Sequence, residues 1–152
     1  MSLTTKNVDW MSARKELTKL REKVFVCEWR IPKDVEFDQQ DHNACHVLIC
    51  DEQGEEIATG RITPAGEIGR IAVINGCRKP EVYQQLFSAL LSIARAQGLE
   101  SVSIQCELEG VNDYQKRGFH PVGAVYMDAG IPRQRMVCNI EAFSLPKVEL
   151  TH

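Results

Sequence analysis

The sequence of 152 residues lacks any apolar run near the length of about 20 residues that crosses a bilayer. It also lacks a basic excess, because 18 lysines and arginines stand against 21 aspartates and glutamates and give a net charge of −3. That charge offers no general attraction to nucleic acid or to an anionic membrane. The first ten residues lack the basic and then apolar order of a signal peptide. We therefore predict a cytoplasmic protein whose partners are neither nucleic acids nor membranes.

The six cysteines lack any C-x-x-C pair. In a chain predicted to stay in a reducing compartment, we expect free thiols rather than a disulfide framework. His42 and His46 are four residues apart, with Asp38, Asp41 and Cys45 nearby, so a metal site has to be weighed. A helix would align the two histidines, but His46 begins a predicted strand and no second ligand cluster accompanies them. We predict no metal.

Internal repeats and low-complexity tracts are absent too, and the length suits one domain with its own core. We expect that domain to span residues 1–152, with a peripheral tail at 143–152. Apolar residues at helical spacing predict a first helix that begins between Asp9 and Ser12 and ends near Phe25. The polar, acidic segment 26–44 predicts a loop. It is either a solvated surface loop or a rim that attracts a cationic substrate such as an amine.

The rest of the chain predicts strands around one long helix. Asn75-Gly76 is a strong turn signal, Pro80 suits a first helical turn, and apolar residues then recur at helical spacing as far as Gly98. A strand that leads into a helix N-terminus suits an anionic ligand, but an ordinary strand–turn–helix shows the same pattern. The further predicted elements are strands at 45–50, 56–63, 68–73, 101–106, 119–127 and 133–140 and a short helix at 111–117.

This order of elements predicts an α+β fold with one central mixed, mostly antiparallel sheet flanked by helices. The first three of these strands have short connections, which favour an antiparallel meander. The crossover through the long helix should make part of the sheet parallel. We expect a site where the strand ends meet the N-terminus of the long helix.

Four sets of short strings, in their order and spacing, make the chain resemble the GCN5-related N-acetyltransferase (GNAT) superfamily from about Trp10 to Met136. Within it, the sequence is similar to a bacterial subgroup of small acetyltransferases. The strings are Val24-Phe-Val-Cys-Glu28 with Glu36-Phe-Asp38, Ile71-Ala-Val73, Asp113-Tyr-Gln-Lys-Arg-Gly-Phe119 and Asp128-Ala-Gly-Ile-Pro132.

The resemblance implies a sheet that is splayed between strands 4 and 5, with acetyl-CoA in the gap. The fourth strand is then 68–73, and the backbone of Ile71, Ala72 and Val73 is expected to hold the pantetheine arm. The N–H of Val73 is also placed to polarise the thioester carbonyl. Tyr114 matches the tyrosine that is often assigned as general acid to the departing thiolate, and a phenol with a pKa near ~10 stays protonated at neutral pH. Its alternative role is that of a core aromatic residue.

The pyrophosphate loop departs from the pattern of the family, which is Arg/Gln-x-x-Gly-x-Gly/Ala. Here the matching run is Arg78-Lys79-Pro80-Glu81-Val82-Tyr83, so Glu81 and Tyr83 stand where glycines let the backbone approach phosphate. Pro80 removes one N–H donor as well and favours an extended backbone at Lys79. The expected contacts of the cofactor in this loop are with Arg78, Lys79, Val82 and Tyr83.

A transferase of this kind also needs a base for the amine. The candidates are Glu28, Glu36, Asp38, His46 and Glu107, and we expect Glu36, Asp38 and His46 to contact the substrate as well. The function that the resemblance implies is direct transfer of an acetyl group from acetyl-CoA to a primary amine on a small molecule or peptide. The alternative is a non-catalytic binding or regulatory module that has lost CoA binding. The resemblance is compatible with a homodimer.

Overall fold

The first half of the chain forms an antiparallel sheet of four strands in the order β1-β2-β3-β4. The computed structural model describes residues 2–28 and 39–143. The predicted meander of β2, β3 and β4 is confirmed, whereas β1 was not predicted, because none of its side chains is buried and it shows no apolar alternation. The strands are β1 (Thr4–Asp9), β2 (Cys45–Cys50), β3 (Glu56–Ile62) and β4 (Ile68–Val73).

The second half forms another antiparallel sheet, in which three strands pair with β8. The prediction of one strand over 119–127 is wrong, because two short strands stand there. Pro121 has no N–H to donate, and Gly123 has a φ of +81°, so an extended ladder is interrupted between them. The strands are β5 (Ser101–Glu107), β6 (His120–Pro121), β7 (Tyr126–Asp128) and β8 (Ile131–Asn139).

The described residues include three α-helices beside the sheets: α1 (Trp10–Arg21), α2 (Pro80–Ala96) and α3 (Val111–Lys116). The carboxylate of Asp9 caps α1 by accepting a bond of 2.8 Å from the Ser12 N–H, and a π-helical turn, Glu22–Glu28, continues this helix. Short 3-10 turns lie at Gln39–His42, Leu108–Gly110 and Ile140–Ala142. No helix in residues 2–28 and 39–143 has both the length and the apolar character that a membrane span needs.

The predicted α+β class is confirmed, with two antiparallel sheets flanked by helices. The predicted parallel part is reduced to one bridge between Glu67 and Ser103, where the Ser103 N–H donates to the Gly66 carbonyl at 2.9 Å. Five of the cysteines lie among the residues with described side chains, and all five carry free thiols, as predicted. The two sheets therefore touch at this bridge, which is the point from which β4 and β5 diverge.

A bulge in β4 lies directly beside the divergence. Thr59 pairs with Ala72 and Arg61 pairs with Gly69, so Arg70 and Ile71 together face the single residue Gly60. Arg70 takes a left-handed φ of 51°. A Cβ on Gly60 would lie 2.9 Å from Cδ1 of Ile71 and 3.1 Å from Cδ1 of Leu90 on α2. The sequence needs a glycine here because the bulged strand and α2 both pack against the backbone of β3.

Candidate active site

A cleft of about 480 Å³ lies between the diverging strands β4 and β5. It runs from the bridge at Glu67 to the start of α3, and its position matches the gap that the sequence predicts. One edge of β4 pairs with β3, while the other edge faces the cleft beyond the bridge. Side chains and backbone from both sheets and from α3 line it, including Glu67, Gly69, Ile71, Gln105, Glu107 and Tyr114.

Tyr114 contributes a half-buried phenol to the cleft. Its ring packs edge to face against Phe119 and Phe87, with distances between ring centroids of 5.4 and 6.4 Å. The Arg117 guanidinium carbon lies 5.3 Å from the centroid of the Tyr114 ring. Burial raises the pKa of the phenol, and the positive charge of Arg117 opposes that shift in part. The hydroxyl group therefore stays protonated at neutral pH and is suited to donate a proton.

Glu67 is a carboxylate that the sequence analysis did not single out. One of its oxygens accepts a hydrogen bond of 3.1 Å from the Gln105 side-chain amide, across the gap between β4 and β5. The Gln105 amide oxygen accepts in turn from the Tyr126 hydroxyl. A carboxylate can only accept, so the amide must present its NH₂ group to Glu67 and its oxygen to Tyr126. The direction of the chain from Tyr126 to Glu67 is thus fixed.

The second oxygen of Glu67 has no side-chain partner among the described residues. The residue is half-buried and lines the cleft, so this oxygen is available to a ligand there. Glu107, which the sequence predicts as a base, lines the same cleft, but it is exposed at the end of β5.

His46, another predicted base and substrate contact, is only 1% exposed and does not line the cleft. Its Nε2–H donates to the Asp41 carbonyl at 3.0 Å, and its ring lies 5.6 Å from that of Trp10. Burial lowers the pKa of His46. It is a hydrogen-bonded core histidine in this structure.

Asp41, which the sequence analysis placed in an acidic surface loop, is also 1% exposed. Its Oδ1 atom accepts from Nη1 of Arg21 at 2.7 Å and from Nη1 of Arg61 at 2.8 Å. The acidic loop is thus neither a solvated surface nor a substrate rim at this residue. Burial of a carboxylate requires such cationic partners, and polar spacing along a loop does not reveal them.

The loop between β4 and α2 contains the predicted phosphate contacts. The N–H groups of Val82 and Tyr83 both donate to the Lys79 carbonyl, at 2.9 and 3.3 Å. The Val82 side chain is fully buried, Tyr83 is half-buried, and Arg78 donates from Nε to the Val73 carbonyl at 3.0 Å. Lys79 is exposed and has the extended backbone that Pro80 favours. The loop therefore offers cationic side chains more than free backbone donors.

The remaining predicted residues are distributed as follows. Ile71 lines the cleft, while Ala72 and Val73 are buried and are not among its lining residues. Glu36, Asp38 and the side chain of Glu28 lie outside the described residues. Within the described side chains, no group of three His, Cys, Asp or Glu residues could hold a metal ion.

Comparison with known proteins identifies relatives of the chain. Residues 16–140 match the family model described as the acetyltransferase (GNAT) domain. The uncharacterized N-acetyltransferase YjcF of Bacillus subtilis is 27% identical over 122 residues, which cover 78% of this chain and 86% of YjcF. YyaT of the same organism is 27% identical over 130 residues, or 82% of this chain and 88% of YyaT.

Solved structures give the same result. An acyl-CoA N-acyltransferase from Pseudomonas aeruginosa is similar with a TM-score of 0.79 and 25% identity, over 90% of this chain and 99% of that one. Escherichia coli ElaA is similar with a TM-score of 0.77 and 27% identity, over 91% of this chain and all of that one.

The burial of His46 predicts a pH-dependent stability. The unfolded chain binds a proton at His46 more readily than the native protein, so stability should be lost as the pH falls below about 6.5, by up to about 1.4 kcal/mol per pH unit. Urea unfolding between pH 7.5 and 5 should show a smaller loss in His46→Gln than in the wild type.

His120→Gln serves as the matched control, because His120 is exposed and its loss should leave the pH dependence unchanged. If the free energy of unfolding changed equally with pH in the wild type and in His46→Gln, the buried imidazole would not be the cause of the pH dependence.

Proposed function

This chain belongs to the acetyltransferase (GNAT) family of acyl-CoA-dependent N-acyltransferases, and from this premise we propose that it transfers an acetyl group directly from acetyl-CoA to a primary amine. The observation that carries the proposal is the cleft between β4 and β5, which a carboxylate, Glu67, and a half-buried phenol, Tyr114, both line. A non-catalytic module would need neither group. The acceptor is a small molecule or a peptide, and the protein acts in the cytoplasm.

Acetyl-CoA fits the residues of the cleft. Beyond the bridge, the edge of β4 that faces the cleft has no strand partner among the described residues and offers backbone N–H and C=O groups to an extended ligand, as the edge of a sheet does to an added strand. A Cβ placed on Gly69 would meet nothing within 4 Å, so the cleft is open beside this edge. Arg78 and Lys79 add positive charge at the N-terminus of α2, which favours phosphate groups. When bound, acetyl-CoA supplies an activated acyl group as a thioester.

We assign the role of base to Glu67. A primary amine is an ammonium ion at neutral pH and must lose a proton before it can attack a carbonyl carbon. The second oxygen of Glu67 can accept that proton, directly or through one water, while Gln105 holds the first oxygen. The exposed position of Glu107 makes it the second choice, since water competes for its carboxylate.

We assign the role of acid to Tyr114. Its phenol can donate a proton to the thiolate that leaves as the amide bond forms. The aromatic contacts on two sides hold the ring, and burial keeps the hydroxyl group neutral. The backbone N–H groups of β4, with that of Val73 as the first choice, would stabilise the oxyanion in the transition state.

Acetyl-CoA should bind the native protein, and this is the experiment that tests the proposal. Thermal unfolding with acetyl-CoA at a hundredfold excess over Kd should show a stabilisation of about 2.7 kcal/mol, with calorimetric titration as the direct measurement. Glu81→Gln should tighten binding a fewfold, because it removes about 1 kcal/mol of repulsion between the exposed Glu81 and phosphate.

Glu52→Gln removes an exposed carboxylate in the hairpin turn and serves as the control, with no expected change in affinity. A folded wild-type protein that millimolar acetyl-CoA leaves unchanged would instead support the alternative of a non-catalytic module.

Glu67→Gln should lower kcat by about 10²-fold or more, because it removes a base and keeps the shape of the side chain. Glu107→Gln should lower kcat by less than tenfold. Release of free CoA thiol measures both rates. The reverse order of the two effects would transfer the role of base to Glu107.

Tyr114→Phe should lower kcat by about 10²-fold, because it removes the proton donor and keeps the ring contacts. The free energy of unfolding should change by less than about 1 kcal/mol, since no protein partner of the hydroxyl group is among the described residues. Unchanged turnover in Tyr114→Phe would make Tyr114 a core aromatic residue only.

A further inference from the structure

Arg133 is a further charged residue on the wall of the cleft. It lies in β8, directly between Glu107 of β5 and Tyr126 of β7 in the register of the sheet. It lines the same cavity as Glu67, and its side chain is 23% exposed. Arg133 therefore lies on the opposite sheet from β4, across the cleft.

The guanidinium group of Arg133 is poorly satisfied by the protein. Its Nη1 reaches the Gln105 carbonyl at 3.4 Å, and its Nε lies 3.5 Å from a carboxylate oxygen of Asp128. Charge-assisted hydrogen bonds normally span about 2.7–2.9 Å, so both contacts are loose. The Nε atom is buried and has no hydrogen-bond partner in the described part of the chain. Arg133 also forms no ion pair with Glu107 there, although the two residues face each other.

An arginine with five rigid donors and so few acceptors suits a ligand carboxylate, which can take two of its N–H groups at once. Asp128 does not meet this need, because it is more than half exposed and lies at the longer distance. An anionic group of the ligand therefore fits beside Arg133 better than a second amine, whose positive charge the guanidinium group would repel.

Gln105 fixes the separation between the two charged groups. Its side-chain amide holds Glu67, and its main-chain carbonyl receives Arg133. The Glu67 carboxylate and the Arg133 guanidinium are therefore both in contact with Gln105, and both residues line the same cavity. Burial raises the pKa of Tyr126, and the charges of Asp128, Arg133 and Glu67 all act on its phenol, which agrees with their grouping around one point.

We propose that the acceptor is a free amino acid, whose amine binds at Glu67 and whose carboxylate binds at Arg133. This inference rests on the proposed acetyl transfer to a primary amine and names the class of that amine. Arg133 is then a specificity-determining residue, because an amine without a carboxylate leaves its buried Nε unpaired.

The test compares amines that differ only in the carboxylate, such as L-leucine with 3-methylbutylamine and L-phenylalanine with 2-phenylethylamine. The kcat/KM for each is measured at saturating acetyl-CoA. Because a carboxylate also changes the basicity of the amine itself, the decisive quantity is the ratio within a pair, compared between wild type and Arg133→Gln. That ratio should fall at least tenfold in Arg133→Gln, through loss of kcat/KM for the amino acid alone.

Arg133→Lys should retain part of the preference, since it keeps the charge without the planar fork. Arg135→Gln is the matched control, because Arg135 is an exposed arginine two residues further along β8 and does not line the cavity; its ratio should equal that of the wild type. An equal loss for both members of a pair in Arg133→Gln, or a wild type that prefers the amine without a carboxylate, would overturn the inference and leave amine acetylation standing.

Failure of the proposed function gives a different result, namely no turnover of any amine. Calorimetric titration of L-leucine and L-phenylalanine into the CoA-loaded protein then decides. Binding that Arg133→Gln abolishes and Arg135→Gln preserves would support the carboxylate site, and absence of binding to the wild type would overturn it.

Discussion

The contact of Gly60 with Ile71 and α2 is the constraint on which the cleft depends. Because β3 has no side chain at this point, two residues of β4 can face one residue of β3, and the bulge places Arg70 in a left-handed conformation that costs a residue with a Cβ about 1–2 kcal/mol. Packing of Ile71 and Leu90 over Gly60 offsets that cost. A bulge increases the local twist of a strand, so β4 turns away from β5 just beyond the bridge at Glu67.

The divergence of the sheets leaves polar side chains to connect them, and Gln105 is the connection that organises the site. A glutamine can donate and accept at once, which a glutamate or a leucine cannot. Its amide joins Glu67 of the first sheet to Tyr126 of the second, and its carbonyl faces Arg133. The side chains that we assign to acceptor binding are therefore held from the rigid sheets rather than from loops.

Much of the fold was predictable because its strands and its central helix follow regular patterns. The strand 68–73, the turn at Asn75-Gly76 and the helix at Pro80 were all predicted from local residues, and Tyr114 from a family string. Strand β1 was missed because its exposed residues carry no apolar period. The prediction of a single strand at 119–127 is wrong because Pro121 and Gly123 interrupt a segment whose other residues are apolar enough to form a strand.

The site was harder to predict because its polar groups meet only through the tertiary structure. Glu67 is a single carboxylate after a turn, and Gln105, the residue that hydrogen-bonds to it across the gap between the sheets, is 38 residues away in the sequence. Asp41 lies in a polar stretch that suggests solvent or substrate, yet Arg21, 20 residues before it, pairs with it in the core. Arg133 carries no distinguishing signal in the sequence, because it stands in a run of three polar residues with Gln134 and Arg135.

The altered loop before α2 shifts where the binding energy for acetyl-CoA has to arise. In a glycine-rich loop, backbone N–H groups surround the pyrophosphate, but here Pro80 has no N–H and the groups of Val82 and Tyr83 already bond to Lys79. The edge of β4 that has no strand partner among the described residues lies outside the run 78–83, so the departure of that run from the family pattern leaves the backbone donors of this edge in place. In the proposed function, recognition of the cofactor should therefore depend more on the amide-bearing pantetheine arm, and on the side-chain charges of Arg78 and Lys79, than on a cradle of backbone N–H groups. More of the binding energy for the cofactor would then come from contacts close to the thioester, in the cleft that the acyl group shares with the acceptor.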